Sequence, residues 1–434
     1  MYKQSTMHKN QEAVDELGRR AYDIAQEIYP FCRSLTGEGV RQTLKALQRH
    51  IPLAIHEVPS GTTAYDWTVP LEWNVRDAYI KDAQGRRVID FQRCNLHLVG
   101  YSVPFKGTLK REELLKHVHV HPTVPDAVPY RHSYYQDSWG FCATHRQREE
   151  LLDEQYEVCV DTSLVPGHLT YGEVIVPGRT DAVMLVWTHT CHPSLANDNA
   201  SGIGVAAVLA ACLGAKSRHL TYRIVFGPAT LGPLVWLSAN EAVVPRIQHG
   251  IVLACAGDLG SMTYVRSRRG NAPVDRAMAH CLKQAGRPYV IRDFAPEGYD
   301  QRQFCSPGFD LAMGCVMRTP YGEYAQYHTS ADDMTFITPA GLGDTMVTLL
   351  DVCDTLDNDR TYVNTNPYGE PHLGKRGLYQ DAASLGMGWT LNYSDGRHSL
   401  LDIAERANMP FAAIAVGAER LRMSGLLREI TRNN

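Results

Sequence analysis

The stretch Trp187–Gly202, W-T-H-T-C-H-P-S-L-A-N-D-N-A-S-G, follows the apolar run Val183–Trp187 and contains two histidines, a cysteine and an aspartate. The run is continuously hydrophobic rather than alternating, which is typical of a strand buried in a parallel sheet. The segment after Ser201 is rich in Ala, Leu and Val and predicts a helix. In such α/β units, ligands bind outside the carboxyl ends of the parallel strands. His192 and Asp198 are therefore expected at a ligand site.

Four further apolar runs are each followed by a segment long enough for a crossover. These runs are Tyr156–Val160, Tyr222–Phe226, Ile251–Cys255 and Leu311–Val316. Strands that alternate with crossovers predict a mostly parallel, doubly wound sheet. We therefore predict an α/β fold for the larger part of the chain.

Two segments depart from this α/β pattern. From Trp67 to about Cys142, short alternating runs separated by Gly, Asp and Pro turns predict a small inserted antiparallel β domain. After the Pro/Gly/Asn-rich connector 364–371, two amphipathic helices joined by a short turn predict a helix-turn-helix or winged-helix domain. The predicted domains are an α/β domain at 1–66 and 143–360, an inserted β domain at 67–142 and a winged helix at 361–434.

Length and composition set the broad class of the protein. The 434 residues exceed the size of one growing hydrophobic core, so two or three domains are expected. The composition is close to that of ordinary soluble proteins, with 44% hydrophobic residues, 21% charged residues and a formal net charge of −4. This charge balance predicts no nucleic-acid or membrane partner. The charges of the predicted winged helix are balanced, so packing or homo-oligomer assembly is expected there rather than DNA binding. The absence of a signal-peptide pattern makes the cytoplasm the expected location.

Residues suited to a hydrolytic zinc site stand at the ends of three predicted strands. His192 and Asp198 follow the first, Asp258 follows the second in A-C-A-G-D, and His328 follows the third in Y-H-T-S. Zinc hydrolases use imidazoles and carboxylates and leave one position open for water. Taken alone, a histidine is more often a packed or surface residue, and Asp198 could cap the following helix. As a set, the four residues are expected to converge on one crevice.

Longer motifs extend beyond these single residues. They are C-H-P-S-L-A-N-D-N-A-S-G at 191–202, G-D-L-G-S-M-T-Y-V-R-S-R-R-G-N at 257–271, G-Y-D-Q-R-Q-F-C-S-P-G at 298–308 and G-E-Y-A-Q-Y-H-T-S-A-D at 322–332. With these motifs the chain resembles the bacterial aminopeptidase-like proteins, which combine a zinc-aminopeptidase-like α/β domain, an inserted β domain and a C-terminal winged helix. The resemblance covers nearly the whole chain. It implies zinc-dependent hydrolysis of an amide or peptide-like bond.

That family is in turn similar to the co-catalytic zinc aminopeptidases, and the similarity implies roles for single residues. His192 and Asp258 would bind one metal, Asp198 would bridge, and His328 would serve a second site. Asp300 falls where those enzymes have the Asp of a Ser-Asp motif.

The chain departs from the zinc aminopeptidases at one position. Those enzymes have a pair of glutamates, a general base and a metal ligand, directly after the strand that corresponds to Tyr222–Phe226. This chain has G-P-A-T at Gly227–Thr230, without a carboxylate. Loss of the ligand favours one zinc over two, and loss of the base removes the residue that would take a proton from water. We predict that Glu323 replaces the base or the ligand, with Asp300 as the second candidate. Glu323 could equally be a solvated loop acid.

Five side chains are predicted to contact the substrate: His189, Tyr135, Trp139, Arg268 and Tyr299. The aromatic residues of the insertion could form a wall over the crevice, and the arginine could bind a carboxylate or phosphate in a bidentate manner. His189 could instead be a packed loop histidine. A peptide N-terminus and a small-molecule amide of a biosynthetic pathway stay open as substrates. An alternative function also stays open: a metal-binding or ligand-binding protein that has kept the aminopeptidase fold without the hydrolase activity.

Overall fold

The computed structural model describes residues 2–378 and 384–430, with side chains described for 11–378 and 385–430. The chain divides into two compact units. One comprises Met1–Gly270 and Val290–Met346, and the other comprises Asn271–Tyr289 and Val347–Asn434.

The largest sheet has eight strands and a parallel centre. In spatial order its strands are Ala54–Pro59, His168–Val176, Thr221–Gly227, Val183–His189, Ile247–Leu253, Met313–Met317, Met262–Val265 and Tyr289–Arg292. The four strands from Thr221–Gly227 to Met313–Met317 in this order run parallel. The strands flanking these four are antiparallel to them. Every residue of Val183–His189 is buried, as its continuous apolar run predicts. The predicted α/β fold is confirmed, with a mixed rather than all-parallel sheet.

Helices alternate with the strands along the described part of the chain. They are Tyr2–Ile28, Glu38–Leu47, Arg111–Leu114, His145–Glu149, Gly202–Gly214, Leu231–Ala239, Pro273–Ala285, Gln301–Phe304, Pro339–Asn358, Ser384–Tyr393, Leu400–Ala407 and Phe411–Met423. The segment Ala196–Gly214 is long and apolar enough to cross a membrane by length and composition alone, but 89% of it is buried inside the protein. Such burial is the pattern of a core helix.

A second sheet has four antiparallel strands, in the order Arg87–Asp90, Glu72–Lys81, Gln155–Val165 and Phe105–Lys110. The run Tyr156–Val160, predicted as a strand of the α/β sheet, lies in this sheet instead, so that prediction is wrong. The reason is visible in its burial, because Tyr156, Val158 and Val160 are buried while the residues between them are more exposed. The sheet therefore has strands on both sides of the predicted boundary at residue 142.

The C-terminal region forms the predicted winged-helix domain. Its three-stranded sheet has the order Asp395–Ser399, Thr361–Asn364 and Leu427–Ile430. The helix Leu400–Ala407 begins with a capping box, in which Ser399 accepts a hydrogen bond from the backbone N–H of Asp402. A left-handed residue, Asn408, ends this helix before Phe411–Met423 begins.

Two helices of the first unit approach each other closely at Gly204. A Cβ added there would lie 2.3 Å from the carbonyl oxygen of Ala21, which is backbone and cannot rotate away. We expect Gly204→Ala to lower the free energy of unfolding by about 1–3 kcal/mol, measured by urea denaturation. Gly214→Ala, in the same helix, adds a carbon that meets no atom within 4 Å and should stabilise by up to about 1 kcal/mol. Equal effects of the two substitutions would contradict this account.

His249 is a buried histidine of the strand Ile247–Leu253. Burial lowers its pKa from 6.5 to about 4. The unfolded chain therefore binds more protons than the folded protein between these two values, so stability should fall as the pH falls through this window. The expected loss is up to about 3 kcal/mol. His249→Leu should flatten this pH dependence in urea denaturation between pH 7 and pH 4. The same slope in both proteins would show that His249 does not contribute.

Candidate metal centre

Three histidines surround one aspartate beyond the carboxyl end of the strand Val183–His189. Nε2 of His189, the last residue of that strand, lies 2.9 Å from Oδ1 of Asp198. Nε2 of His328 lies 3.1 Å from the other carboxylate oxygen, Oδ2. Nδ1 of His192 lies 4.0 Å from Oδ1. Asp198 is thus the centre of a group that we call the histidine cluster: His189, His192, Asp198 and His328.

The charges of the histidine cluster are set by burial and by mutual contact. Burial opposes ionisation of Asp198, but the attraction of His192 and hydrogen bonds involving His189 and His328 hold the pKa of Asp198 well below its usual range. Burial also lowers the pKa of His192 well below 6.5, against the attraction of Asp198. Contact with the histidines thus favours the ionised form of Asp198, and burial favours the neutral form of His192.

These residues fit a metal ion. The ligand atoms of His189, His192 and Asp198 all lie within 4.8 Å of one another. Nδ1 of His192 is buried and has no hydrogen-bond partner within the described part of the chain. Buried polar atoms normally have a partner, so a cation at this position would account for the unpaired nitrogen. Imidazole nitrogens and carboxylate oxygens are ligands of zinc. His189, predicted to contact the substrate, belongs to this donor set, and its position at the end of the strand was the signal for it.

The loop that carries Asp198 is held by Asp332, four residues after His328. The Asp332 carboxylate accepts hydrogen bonds from the backbone N–H groups of Asn197, at 2.6 Å, and Asp198, at 3.0 Å. Its carbonyl oxygen accepts a third from the N–H of Ala196, at 2.8 Å. One segment therefore supplies His328 and also positions Asp198.

Asp258 lies outside the histidine cluster, contrary to the prediction that it binds the metal. Its carboxylate accepts hydrogen bonds from Nδ2 of Asn197 at 3.0 Å, from Oγ1 of Thr319 at 2.7 Å and from the N–H of Gly260 at 2.6 Å. The protein already satisfies this carboxylate, which supports the residue next to Asp198.

Cys255, which the sequence did not single out as functional, lies near the histidine cluster. It follows the strand Ile247–Leu253, and its Sγ lies 2.8 Å from the hydroxyl of Tyr299. Burial, reinforced by the charge of Asp198, raises the pKa of this thiol well above its usual range. Cys255 is therefore a neutral thiol. It lies three residues before Asp258, the carboxylate that the sequence predicted as a metal ligand.

A cavity of about 500 Å³ opens beside the histidine cluster, and His192 and His328 line it. Its wall is rich in aromatic rings: Trp67, Tyr134, Tyr135, Tyr299, Tyr321 and Tyr327. Tyr135 and Tyr299, both predicted to contact the substrate, are among them. The Tyr299 ring stacks on His189, with ring centroids 5.5 Å apart.

Two other predicted substrate contacts lie elsewhere. Trp139 stacks on His117, with ring centroids 3.9 Å apart, and packs with the core of the four-stranded sheet. Arg268 forms an exposed ion pair with Asp310, with Nη1 and Oδ1 2.9 Å apart. Neither side chain lines the cavity. The partners of these two residues, His117 for Trp139 and Asp310 for Arg268, are distant from them in sequence, so the local pattern did not reveal the contacts.

Glu323, predicted as the replacement base, pairs with Arg292 instead. Their Oε2 and Nη2 atoms lie 2.8 Å apart, and the Glu323 side chain is 47% exposed. The hydrogen bond from Arg292 lowers the pKa of Glu323, which makes it a weaker base. Glu323 does not line the cavity, so the geometry does not support its predicted role as the replacement base.

Asp300, the second candidate base, does line the cavity but is only 2% exposed. Its Oδ2 accepts a hydrogen bond from Nε1 of Trp187 and its Oδ1 accepts one from the N–H of Thr230, both at 2.6 Å. Burial raises the pKa of Asp300. Thr230 belongs to the segment Gly227–Thr230, where the zinc aminopeptidases have the glutamate pair. Through its hydrogen bond to Thr230, Asp300 places a carboxylate next to this segment.

The segment 129–135, P-Y-R-H-S-Y-Y, brings two further residues to the cluster. The Tyr130 ring lies edge-on to His192 and to His328, with centroids 5.1 Å apart in both cases. The N–H of Tyr130 donates to the carbonyl oxygen of His328 at 2.7 Å. His132 lines the cavity and stacks on Tyr134, with centroids 3.8 Å apart. The sequence pattern predicted an aromatic wall from the insertion but no role for Tyr130 or His132.

Comparison with known proteins gives the family. A family model described as a domain of unknown function, DUF4910, matches residues 22–359, and a winged helix-turn-helix model matches residues 360–429. The chain belongs to the DUF4910 family. A Clostridium acetobutylicum protein named "Putative polysaccharide biosynthesis protein with aminopeptidase-like domain" is 44% identical over 421 residues, which are 95% of this chain and 97% of that protein.

Solved structures agree with this membership. A crystal structure titled as that of a "putative peptidase" from Clostridium acetobutylicum has a TM-score of 0.94 and 43% identity over 98% of this DUF4910 chain and 100% of its own. BSAP, a zinc aminopeptidase from Bacillus subtilis, has a TM-score of 0.57 and 13% identity over 78% of this chain and 94% of its own, which shows a shared fold. The predicted aminopeptidase-like α/β domain with a C-terminal winged helix is confirmed.

Proposed function

We propose that this DUF4910 protein is a zinc-dependent hydrolase of an amide or peptide-like bond. The observation that supports it most is the histidine cluster beside an aromatic cavity, with a buried imidazole nitrogen that has no protein partner among the described residues. His189, His192 and Asp198 would hold one zinc ion, with His328 on the second oxygen of Asp198. The aminopeptidase-like domain named for the Clostridium acetobutylicum relative is consistent with this chemistry.

A bound zinc ion would polarise the amide carbonyl and lower the pKa of a water molecule next to it. In the hydrolysis, the water oxygen bonds to the carbonyl carbon and the carbon–nitrogen bond breaks. One proton of the water passes to the leaving nitrogen, so that a carboxylic acid and an amine are released.

His132 is the cavity residue that we assign to this proton transfer. Its imidazole accepts or donates no hydrogen bond within the described part of the chain, and its ring is held by stacking on Tyr134. Desolvation lowers its pKa from 6.5 to about 4, so the ring is neutral at neutral pH and has a free lone pair. The same shift makes it a weak base, so the transfer would depend on a metal that acidifies the attacking water. Both oxygens of Asp300, by contrast, already accept hydrogen bonds.

The first experiment measures zinc and hydrolysis on the same protein. The purified protein is stripped with a chelator and titrated with zinc, and amine release is followed on a panel of N-acyl amino acids and aminoacyl amides. We expect about one zinc per chain, with hydrolysis lost on stripping and restored by zinc. Zinc binding without hydrolysis would favour a metal-binding protein that kept the fold. No zinc binding would overturn both functions.

His132→Gln tests the proton transfer separately. We expect kcat to fall by about 10²-fold while the zinc content stays the same, because the imidazole would accept a proton without touching the metal. His117→Gln is the matched control, since His117 stacks on Trp139 and does not line the cavity. Full activity of His132→Gln would move the proton-accepting role to another residue.

A further inference from the structure

The cavity beside the histidine cluster has two charged side chains in its wall, Asp300 and Arg302. Asp300 is buried, and each of its oxygens accepts a hydrogen bond at 2.6 Å from the protein itself. A substrate with a free α-amino group carries a positive charge at neutral pH and needs an available carboxylate. The cavity wall provides none besides Asp300.

Arg302 is held in place without forming an ion pair, although its charge interacts with that of the buried Asp300. Its Nη1 donates to the carbonyl oxygen of Gly298 at 2.7 Å, and its Nη2 lies 3.4 Å from Oγ1 of Thr230. Within the described residues, no carboxylate lies within ion-pairing distance of its guanidinium group. Arginine has five N–H donors in a planar fork, so most of them stay available to a ligand.

Neighbouring arginines in the same unit differ from Arg302 because each has an acidic partner. Arg266 pairs with Asp293, Arg268 and Arg269 pair with Asp310, and Arg292 pairs with Glu323. Arg302 is thus an unpaired cation in the wall of the cavity. A metal ion at the histidine cluster would add further positive charge. The two carboxylates nearby, Asp300 and Asp198, are 2% and 0% exposed, so the charge that a ligand in the cavity would meet is that of Arg302, which favours an anionic group.

We infer that the substrate is a small anionic N-acyl compound, such as an N-acyl amino acid, whose carboxylate binds Arg302, rather than a peptide with a free N-terminus. This inference rests on the proposed hydrolase function. A carboxylate matches the guanidinium fork and binds it in a bidentate manner. The cavity volume of about 500 Å³ is in the range of small-molecule sites. Its aromatic walls suit the apolar part of such a compound.

Three probes that share one side chain test this inference. N-acetyl-L-phenylalanine is acylated and anionic, N-acetyl-L-phenylalaninamide is acylated and neutral, and L-phenylalaninamide carries a free ammonium group. Dissociation constants are measured on the zinc-loaded protein by tryptophan fluorescence, and kcat/KM is measured for each probe. We expect the anionic probe to bind at least about tenfold more tightly than the other two, which is the strength of a charge-assisted hydrogen bond.

Variants of Arg302 separate recognition from folding. Arg302→Gln should remove the preference for the anionic probe and leave binding of the neutral probe unchanged. Arg302→Lys keeps the charge without the planar fork and should retain part of the preference. Arg268→Gln, at the exposed ion pair with Asp310, is the matched control and should change neither.

The outcomes distinguish this inference from the hydrolase function on which it rests. Tightest binding of L-phenylalaninamide, an unchanged preference in Arg302→Gln, or no binding of any probe would overturn the inference. Hydrolysis of L-phenylalaninamide would keep the hydrolase function and reject the anionic substrate. Arg302-dependent binding of the anionic probe without hydrolysis of any N-acyl compound would keep the anionic ligand and reject the hydrolase.

Discussion

Replacing Asp198 with Ala is expected to abolish zinc binding and, with it, hydrolysis. Asp198 is fully buried and contacts His189 and His328 through its two oxygens. Its removal takes away the anionic ligand of the proposed site, and even residues that only support metal ligands change affinity about 10–100-fold. We therefore expect the zinc affinity to fall by more than about 100-fold. Zinc per chain after dialysis and the dissociation constant from a chelator competition measure this effect.

Glu323→Gln is the control for Asp198→Ala. It also removes one carboxylate, but from an exposed ion pair with Arg292 outside the cavity. Surface ion pairs contribute about 0–1 kcal/mol, so zinc content and turnover should stay close to those of the wild-type protein. If Glu323→Gln abolished turnover and Asp198→Ala retained zinc, the histidine cluster would not be the active site.

Replacing Asp332 with Ala is expected to have the second-largest effect, on both stability and metal affinity. The carboxylate accepts hydrogen bonds from two buried N–H groups, those of Asn197 and Asp198, which Ala would leave unpaired. Each unpaired buried group costs about 1–3 kcal/mol, so the free energy of unfolding should fall by about 2–5 kcal/mol. Because Asp332 positions the Asp198 loop, zinc affinity should also fall by about 10–100-fold. Urea denaturation and zinc titration measure the two effects.

Asp333→Ala is the matched control, because it removes the neighbouring carboxylate. The Asp333 side chain accepts hydrogen bonds from the N–H and the hydroxyl of Thr335, at 2.8 Å and 2.6 Å, in an exposed turn. Its loss should cost about 1 kcal/mol or less and leave zinc affinity unchanged. Equal effects at the two positions would mean that Asp332 does not position the metal loop.

Much of the fold could be predicted because it depends on local hydrophobic pattern. The continuously apolar run Val183–Trp187 is a fully buried central strand, as its composition requires. The helices of the winged-helix domain could be predicted from the helical spacing of their hydrophobic residues. The run Tyr156–Val160 was assigned to the wrong sheet, because a short run that is apolar except for Glu157 fits either a buried or a half-buried strand.

Residues of the site were placed best where their loops leave the carboxyl ends of the strands. His192, Asp198 and His328 lie close together, as expected for strand ends that converge at one edge of the sheet. Their role as metal ligands stays a prediction. From the sequence, Asp258 could not be recognised as a residue that supports Asn197, nor Glu323 as a surface residue paired with Arg292. Their roles depend on Asn197 and Arg292, which are remote from them in the chain.

The sequence by itself therefore determined the fold class, the family and the strand ends at which the histidine cluster lies, because hydrophobic pattern and motifs are local properties of the chain. Only the tertiary structure decided which carboxylates are already satisfied by protein donors and which cation is left unpaired. Asp300 and Arg302 lie two positions apart, yet Asp300 is buried and hydrogen-bonded to Trp187 and Thr230, while Arg302 lines the cavity without an ion-pair partner among the described residues. Pairing of charges is settled by long-range packing, and so the specificity of the cavity is not encoded in any single motif.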